Sequence, residues 1–255
     1  MKKIKNDLLN LAWFRFYEEL NDFLPAARKK ILFSYSFDGN PSVKDAIEAL
    51  GVPHAEVDLI LVNGHSVDFT HRLKNGDSVS VYPVFESFDI SPVTHLRDKP
   101  LRDTKFIADV HLGKLARNLR LTGFDVCYRP GMGDTEIIGI SLSEKRIILT
   151  HDRELLKNKL VTHGYYVRSQ VPDEQLKEVF IRFQLKSLMK LFSRCMECNS
   201  LLSDVPKEEI ADHVLPKTIR YFEDFKRCPG CGRIYWNGSH YERMKRHIDS
   251  IISDF

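Results

Sequence analysis

From Lys105 onward, short apolar segments alternate with amphipathic ones, and this alternation constrains the fold more than any other feature of the sequence. The segment from Gly113 to Leu121 places its apolar side chains on one helical face, which predicts an amphipathic helix. Strands that alternate with helices in this way require parallel pairing with right-handed crossovers. We therefore predict a central parallel sheet with flanking helices. Its predicted strands are Phe106 to Val110, Phe124 to Tyr128, Arg146 to Leu149 and Tyr165 to Val167.

Three aspartates stand at the ends of these predicted strands. Asp109 ends the first strand, Asp134 begins the helix after the second, and Asp152 follows the third. Ligands of open parallel sheets bind beyond the carboxyl ends of the strands. Carboxylates gathered there repel one another unless a cation lies between them, and hard oxygen ligands suit Mg²⁺ or Mn²⁺. The pattern predicts a cation site that orients a water for attack on a phosphodiester.

The same aspartates also have a purely structural interpretation. Asp134 and Asp152 stand where helix N-caps are expected, and Asp109 could close its strand with an Asx turn. His111 and His151 flank the acids, and each could bind a metal or substrate or serve only as a hydrogen-bonded neighbour. Sequence alone leaves both interpretations open.

Positive charge is concentrated in the middle of the chain. Residues 96–194 hold 19 basic and 12 acidic groups, a net charge of +7, whereas residues 1–95 carry −3 and residues 195–255 carry −1. A basic patch favours a polyanionic partner such as nucleic acid, although a solvated basic face is the alternative. The side chains that could hold a phosphate backbone are Lys114, Arg117 and Arg120 on the helix after Asp109, together with Arg153.

Residues 195–255 contain two CxxC pairs, Cys195 with Cys198 and Cys228 with Cys231. Each pair lets two thiolates reach one ion, and two pairs complete a closed tetrahedral zinc site. Four sulfur ligands leave no open position for water, so we expect a structural zinc. A redox CxxC pair is the alternative. Arg233, Tyr235, Trp236 and their neighbours mix basic and aromatic side chains, which suits either base stacking or a packed ribbon core.

The N-terminal segment follows a different pattern. Residues 12–17 and 31–37 predict strands, and Ser42 predicts the N-cap of a helix from Val43 to Leu50. Two more strands follow, Val57 to Val62 and Ser78 to Val84. The order of two strands, a helix and two strands predicts an α+β unit of the ubiquitin-like β-grasp type.

These residues together resemble a known family. The chain is similar to the Mut-seven C-terminal RNase family, a branch of the PIN-like nucleases, in FIADVHLGKLARNLRLTGFDVCYR, then Asp134, then RIILTHDREL. The run CPGCGRIYWNGSHYERM resembles the zinc ribbon of that family. The N-terminal segment resembles the ubiquitin-like domain that is often fused in front of it, a relative of the thiamine and molybdopterin sulfur carriers. The resemblance covers nearly the whole chain.

The resemblance implies a PIN-like α/β fold and metal-dependent ribonuclease activity. Asp109, Asp134 and Asp152 match the catalytic acids of the family and would hold Mg²⁺ or Mn²⁺. The substrate would be RNA, which the basic residues would bind. A non-catalytic RNA or ribonucleoprotein binding protein is the alternative. In that alternative the basic face and the ribbon bind RNA, while the acids serve as caps or hold one inert ion.

The ubiquitin-like segment lacks the chemistry of its sulfur-carrier relatives. Those carriers end in a diglycine that is activated as a thiocarboxylate, whereas the matching strand here runs VYPVFESFD into further protein. We therefore exclude sulfur transfer and expect this module to dock a protein partner or present a substrate.

Length and composition complete the sequence-based expectations. The 255 residues, 43% of them hydrophobic, suit more than one soluble globular domain. No apolar run approaches the ~18 residues that cross a bilayer, and no secretory signal is visible, so we expect a cytoplasmic protein without a membrane partner. The predicted domains are a β-grasp domain (1–90), a linker (91–104), a PIN-like nuclease domain (105–193) and a zinc ribbon (194–255).

Overall fold

The computed structural model of the chain describes residues 9–83 and 104–253. These residues form two compact units. The first unit holds residues 9–83 together with residues 152–166, and the second holds residues 104–151 and 167–253. A segment from the middle of the predicted nuclease domain is therefore grouped with the N-terminal unit.

The described residues bear on two further predictions, the linker and the lack of a membrane-spanning segment. The predicted linker, residues 91–104, lies outside them except for Thr104. In the part of the chain that the structure describes, no helix is both long and apolar enough to cross a bilayer. The division into four domains stays a prediction.

The secondary structure follows the predicted alternation, with short 3-10 turns between several elements. The N-terminal elements are β1 (Asn10–Phe16), β2 (Phe33–Phe37), α1 (Val43–Ala49), β3 (Val57–Val62), β4 (His65–Ser66) and β5 (Ser78–Pro83). The central elements are β6 (Lys105–Ala108), α2 (Gly113–Leu121), β7 (Asp125–Cys127), α3 (Asp134–Glu144), β8 (Ile147–Thr150), α4 (Arg153–Lys157), β9 (Gly164–Tyr166) and α5 (Pro172–Arg182). The C-terminal elements are β10 (Ser203–Asp204), α6 (Pro216–Tyr221), β11 (Phe225–Arg227), β12 (Ile234–Trp236) and α7 (Ser239–Ile252).

The first unit contains a mixed sheet in the strand order β2-β1-β5-β3-β4. Strand β1 pairs antiparallel with β2 and parallel with β5, and β3 pairs antiparallel with β5. The predicted ubiquitin-like β-grasp fold is confirmed. Strand β1 alternates strictly: Ala12, Phe14 and Phe16 are buried, whereas Leu11 and Trp13 are exposed on the other face.

Helix α1 covers the buried face of this sheet. Val43, Ala46 and Ile47 are fully buried among the sheet's apolar side chains. The helix begins where Ser42 was predicted to cap it. The Ser42 hydroxyl accepts a hydrogen bond from the Asp45 amide, and the Asp45 carboxylate accepts one from the Ser42 amide, at 3.1 and 3.0 Å respectively. This capping box satisfies amides that the first helical turn leaves unpaired.

The second unit is built on a parallel sheet, as predicted. Strand β6 lies between β7 and β8 and pairs parallel with both. Phe106, Ile107 and Ala108 are fully buried, as a strand covered on both faces requires. After β8, the Val167 amide donates to the Thr150 carbonyl at 2.9 Å, which keeps the chain beside the carboxyl end of the strand.

One predicted element differs from the structure. The apolar side chains of Ile181, Leu185, Leu188 and Phe192 recur with helical spacing, which predicts a single helix from Pro172 to about Phe192. The structure instead ends α5 at Arg182. Gln184 has φ +48°, and a short 3-10 turn follows. The turn buries Leu185 completely, and the ring of Phe192 packs against that of Tyr241 in a tilted arrangement with centroids 4.2 Å apart. Tertiary burial of these apolar side chains outweighs the helical propensity of the segment.

The C-terminal residues form a small ribbon in the second unit. Strands β10, β11 and β12 pair antiparallel in that order, and α7 follows them. Phe225 on β11 is buried and lies near Trp236 on β12, with ring centroids 6.4 Å apart. Trp236, from the predicted aromatic set, is therefore half-buried beside the ribbon's buried Phe225.

The capping box yields a test of the first unit. We expect Ser42→Ala to lower the free energy of unfolding by about 1 kcal/mol, because the Asp45 amide loses its acceptor. Urea denaturation followed by circular dichroism measures the change. Ser36→Ala, at an exposed position on β2, is the matched control; an equal loss in both variants would contradict the assigned role of the cap.

Candidate functional site

Asp109 emerges at the carboxyl end of the central strand β6, as predicted. Its amide donates to the Leu149 carbonyl of β8 at 3.0 Å, so the pairing of the two strands extends to this residue. Asp109 then caps a short 3-10 turn before α2. It is only 5% exposed, which is rare for an aspartate without several hydrogen-bond donors.

Three donors hold the Asp109 carboxylate. The His111 amide donates to Oδ1 at 2.8 Å, the His151 amide donates to Oδ2 at 3.1 Å, and the Thr150 hydroxyl donates to Oδ2 as well. Thr150 is fully buried. These bonds fix the orientation of the carboxylate. The bond from the His111 amide is the predicted Asx-type closure of the strand, and it leaves a buried acidic group at the predicted edge of the sheet.

The side chain of His151 is held by two further contacts. Its Nδ1 lies 2.7 Å from the Val167 carbonyl, so Nδ1 carries the hydrogen and donates. Its Nε2 lies 3.3 Å from the amide nitrogen of Gln175 and can accept from it. The two ring nitrogens are thus engaged by the protein, which matches the interpretation of His151 as a hydrogen-bonded neighbour.

The other two predicted acids are exposed. Asp134 is the first residue of α3, and Gly133 occupies the N-cap position. Asp152 is the N-cap of α4, where its Oδ1 accepts from the Glu154 amide at 2.7 Å and the Leu155 amide at 3.4 Å. The predicted cap role of Asp152 is confirmed. The predicted cap role of Asp134 is wrong, because Gly133 is the N-cap of α3.

Asp109 and Asp134 belong to the second unit, and Asp152 belongs to the first. Among the residues that the structure describes, one group of three or more histidine, cysteine or acidic side chains has ligand atoms all within 4.8 Å of one another, and it consists of cysteines. The chemistry of three carboxylates suits a hard divalent cation. The cation site of Asp109, Asp134 and Asp152 stays a prediction.

Two of the predicted basic residues line an open groove. Lys114 and Arg117 project from α2 toward the beginning of α5, and the groove between them has a volume of about 350 Å³. Asn118, Val171, Pro172 and Asp173 complete its lining. Both basic side chains are exposed, and Arg117 Nη1 pairs with the Glu197 carboxylate at 3.2 Å. Two positive charges and the Asp173 carboxylate therefore line the groove.

Arg120 does not belong to this exposed set. It is 4% exposed, and its guanidinium donates to the carbonyls of Val126, Tyr128, Met196 and Glu197. Burial lowers the pKa of Arg120, opposed by nearby thiols and by the Glu197 carboxylate. Its donors are used inside the protein, and we remove it from the predicted RNA-binding residues. Lys114 and Arg120 are six positions apart, so their side chains point in directions about 240° apart around the helix axis. Arg120 therefore borders the apolar face, whereas Lys114 lies opposite it.

Arg153 is exposed but already has partners within the first unit. Its guanidinium lies 5.1 Å from the ring centroids of both Phe23 and Tyr166. Cation–π contacts of this kind hold a guanidinium by its face and leave its edge free to donate. Tyr166 also donates its amide to the Glu56 carboxylate, and His54 Nε2 lies 2.9 Å from the Val161 carbonyl. The structure thus gives Arg153 a packing role in its own unit, and its predicted role in RNA binding stays a prediction.

The four cysteines of the two CxxC pairs come together as predicted. All four sulfurs lie within 4.8 Å of one another, with Cys195 3.6 Å from Cys231 and Cys198 3.2 Å from Cys228. Zinc–sulfur bonds of about 2.3 Å in a tetrahedron require sulfurs at about this spacing. Burial opposes ionisation of Cys198, but hydrogen bonds with Ser200 and with the other thiols outweigh it and lower the pKa of Cys198 to about 6. Burial raises the pKa of Cys228 and of Cys231. The spacing of the four sulfurs fits one zinc ion.

Asp125 is the first residue of β7, and from its sequence position alone we predict a surface residue; the structure half-buries it. Its carboxylate accepts from Arg146 Nη1 at 2.6 Å and from Asn199 Nδ2 at 2.8 Å, and Arg194 Nη2 lies 3.5 Å away. Burial raises the pKa of Asp125, but these hydrogen bonds and charges outweigh it and lower the pKa below its ordinary value. Asn199 Oδ1 also accepts from the Val126 amide at 3.0 Å. Because Asp125 and Asn199 are 74 positions apart, no local pattern could have found this contact.

Two family models match the chain. The model described as Mut7-C RNAse domain matches residues 104–248, and the model described as Mut7-C ubiquitin matches residues 10–89. A solved structure, the crystal structure of SAMP1 from Haloferax volcanii, matches at 17% sequence identity with a TM-score of 0.25, covering 31% of this chain and all of that chain. No curated protein matches the chain.

The cysteine geometry predicts a metal content. We expect the purified protein to contain one equivalent of zinc and Cys228→Ser to lose most of it, because the variant removes one of four tetrahedral ligands. Elemental analysis by mass spectrometry measures the zinc. Cys127→Ala is the matched control, since Cys127 is on β7 and outside the cluster; retention of full zinc by Cys228→Ser would contradict the site.

The Asp125 contacts predict a pH-dependent stability. At neutral pH we expect Asp125→Asn to lower the free energy of unfolding by about 2 kcal/mol. Because the folded pKa of Asp125 lies below its unfolded value of about 3.9, its contribution is present above that value and is lost as the pH falls through the folded pKa. The difference between wild type and variant must therefore shrink below about pH 4.

Guanidinium denaturation at a series of pH values measures this difference. Asp204→Asn, which breaks an exposed ion pair with Lys226 in the ribbon, serves as the control and should cost less than about 1 kcal/mol. A constant difference between wild type and Asp125→Asn across the acid range would refute the role of the carboxylate charge.

Proposed function

The chain belongs to the Mut7-C RNAse domain family, and from this premise we propose that it hydrolyses RNA phosphodiester bonds with the help of a divalent cation. The observation that carries the proposal is Asp109, a buried carboxylate held by three donors at the carboxyl end of the central strand. This is the edge where parallel sheets bind ligands. Burying an acid costs free energy of folding, and three hydrogen bonds offset part of that cost here. A functional role would explain why an acid occupies this position.

We propose Asp109, Asp134 and Asp152 as the carboxylates that bind the cation. A bound Mg²⁺ or Mn²⁺ would activate a water and offset the charge of the leaving oxygen. In the described structure Asp109 is already oriented by its donors, whereas Asp134 and Asp152 are exposed at helix starts. No reaction step is assigned to an ion, and the variants described below test which of the three acids bind it.

The groove between α2 and α5 supports RNA as the substrate. Lys114 and Arg117 present two positive charges on an exposed helical face, in a volume of about 350 Å³ that admits a nucleotide phosphate. Such contacts hold the sugar–phosphate backbone without reading the sequence of bases. We therefore propose that these two residues position the strand. Zinc in the four-cysteine site is proposed as a structural ion that supports this unit.

A non-catalytic RNA-binding protein is the second candidate. It is favoured by the hydrogen bonds that already occupy the Asp109 carboxylate and by the role of Asp152 as a helix cap. Both features would serve a stable fold without any reaction. A protein partner for the ubiquitin-like unit and a cytoplasmic location stay predictions.

Cleavage assays distinguish the two candidates. We expect the protein to cleave single-stranded or structured RNA in Mn²⁺ or Mg²⁺, and Asp109→Asn to reduce the rate by at least about 100-fold, because the amide is a weaker cation ligand. Asp134→Asn and Asp152→Asn, alone and combined with Asp109→Asn, test the other proposed ligands. Gel electrophoresis of labelled RNA measures the cleavage.

Glu154→Gln is the matched control, because it removes an exposed carboxylate next to the proposed site in sequence. Circular dichroism establishes that each variant is folded. Tight, salt-dependent RNA binding with no metal-dependent cleavage would reject the ribonuclease and support the binding protein.

A further inference from the structure

The buried guanidinium of Arg120 connects two parts of the second unit. Its Nε donates to the Val126 carbonyl at 3.0 Å, and Nη2 donates to the Tyr128 carbonyl at 3.1 Å, so one side of the fork is held by the chain around β7. Nη1 donates to the carbonyls of Met196 and Glu197 at 3.2 and 2.7 Å. Those two residues are the inner positions of the Cys195-x-x-Cys198 turn.

The charge of Arg120 also faces the cysteine cluster. All four hydrogen bonds of its guanidinium are to carbonyl oxygens, and none is to a carboxylate. A buried cation without a paired anion is costly. A zinc ion with four thiolates carries a net negative charge, because the thiolates outnumber the two charges of the metal. A loaded centre therefore supplies the opposite charge, and the metal-held turn supplies two of the four acceptors.

The helix that carries Arg120 also presents the groove residues. Arg117 lies one helical turn before Arg120 and lines the groove, and its Nη1 pairs with the Glu197 carboxylate at 3.2 Å. The cysteine turn thus contacts α2 at two successive turns, through the Glu197 carbonyl and the Glu197 side chain. Leu115 and Leu119 anchor the opposite face of the helix in the core, so α2 has little freedom to move independently of its neighbours.

We propose that zinc in the four-cysteine centre raises the affinity of the Lys114 and Arg117 groove for RNA, with Arg120 as the positioning residue that couples the two sites. The inference rests on the proposed RNA-binding function of the groove. With zinc bound, the Cys195–Cys198 turn holds the carbonyls that fix Arg120 and thereby α2. Without zinc, the turn loses its constraint, Arg120 loses two acceptors, and the groove side chains lose their fixed spacing.

Thermodynamic reciprocity provides the test. If zinc raises the RNA affinity by a certain factor, RNA must raise the zinc affinity by the same factor. We expect a factor of at least about five. Fluorescence anisotropy with a short labelled oligouridine measures RNA binding to zinc-loaded and zinc-free protein at one salt concentration. Equilibrium transfer of zinc to a chelator, with and without the oligouridine and in the absence of Mg²⁺, measures the reciprocal effect.

Two variants separate coupling from simple loss of a phosphate contact. Arg120→Lys keeps a positive charge but cannot bond all four carbonyls, and we expect it to bring the factor close to one. Lys114→Gln is the matched control: it should weaken RNA binding in both zinc states alike, reduce the slope of log affinity against log salt by about one, and leave the factor unchanged.

The possible results distinguish failure of the zinc–RNA coupling from failure of the proposed RNA-directed function. Equal RNA affinities in both zinc states, in protein that circular dichroism shows to be folded, would overturn the coupling but not the proposed function. If zinc-free protein or Arg120→Lys fails to fold, the chelator measurement on wild type decides, and zinc transfer unaffected by bound oligouridine would likewise overturn the coupling. Absence of RNA binding in any state would overturn the coupling and the RNA-directed function together.

Discussion

The second unit depends on the pairing of the buried strand Lys105–Ala108 with a parallel neighbour on each side. Its backbone groups have no access to water, so both edges must be hydrogen-bonded within the sheet. Parallel pairing aligns the carboxyl ends of the strands, which brings Asp109 within reach of Thr150 and His151 more than 40 positions later. The same geometry starts α2 directly after this edge and orients Lys114 and Arg117 toward the groove.

Polar contacts inside this unit join the ribbon to the sheet. Arg120 uses carbonyls from both, and Asp125 on β7 binds Arg194 and Asn199 on either side of the first cysteine turn. Each group would be costly to bury alone, but together their donors, acceptors and charges are compensated. The first cysteine turn is therefore attached to the sheet by a polar network as well as by the chain.

Several sequence-based predictions are confirmed. The mixed α/β architecture, the ubiquitin-like unit, the parallel central sheet and the resemblance to the Mut-seven C-terminal RNase family all agree with the structure or the family matches. Ser42 caps its helix and the four cysteines cluster, because each signal depends on residues close together in sequence. The predictions for the long helix after Pro172 and for Arg120 and Asp125 were wrong. In each case distant burial or a distant partner decided the outcome.

The sequence by itself determined most of the order of strands and helices, the cap at Ser42, the two CxxC pairs and the acids at strand ends. These features follow from periodicity, local hydrogen bonding and spacing along the chain. Only the tertiary structure decided which charged residues are exposed at the surface and which are buried in the interior. Arg117 and Arg120 lie three positions apart on one helix, yet one lines an open groove and the other is buried among carbonyls. The difference arises because the Cys195–Cys198 turn, far along the chain, packs against one side of that helix and excludes water there.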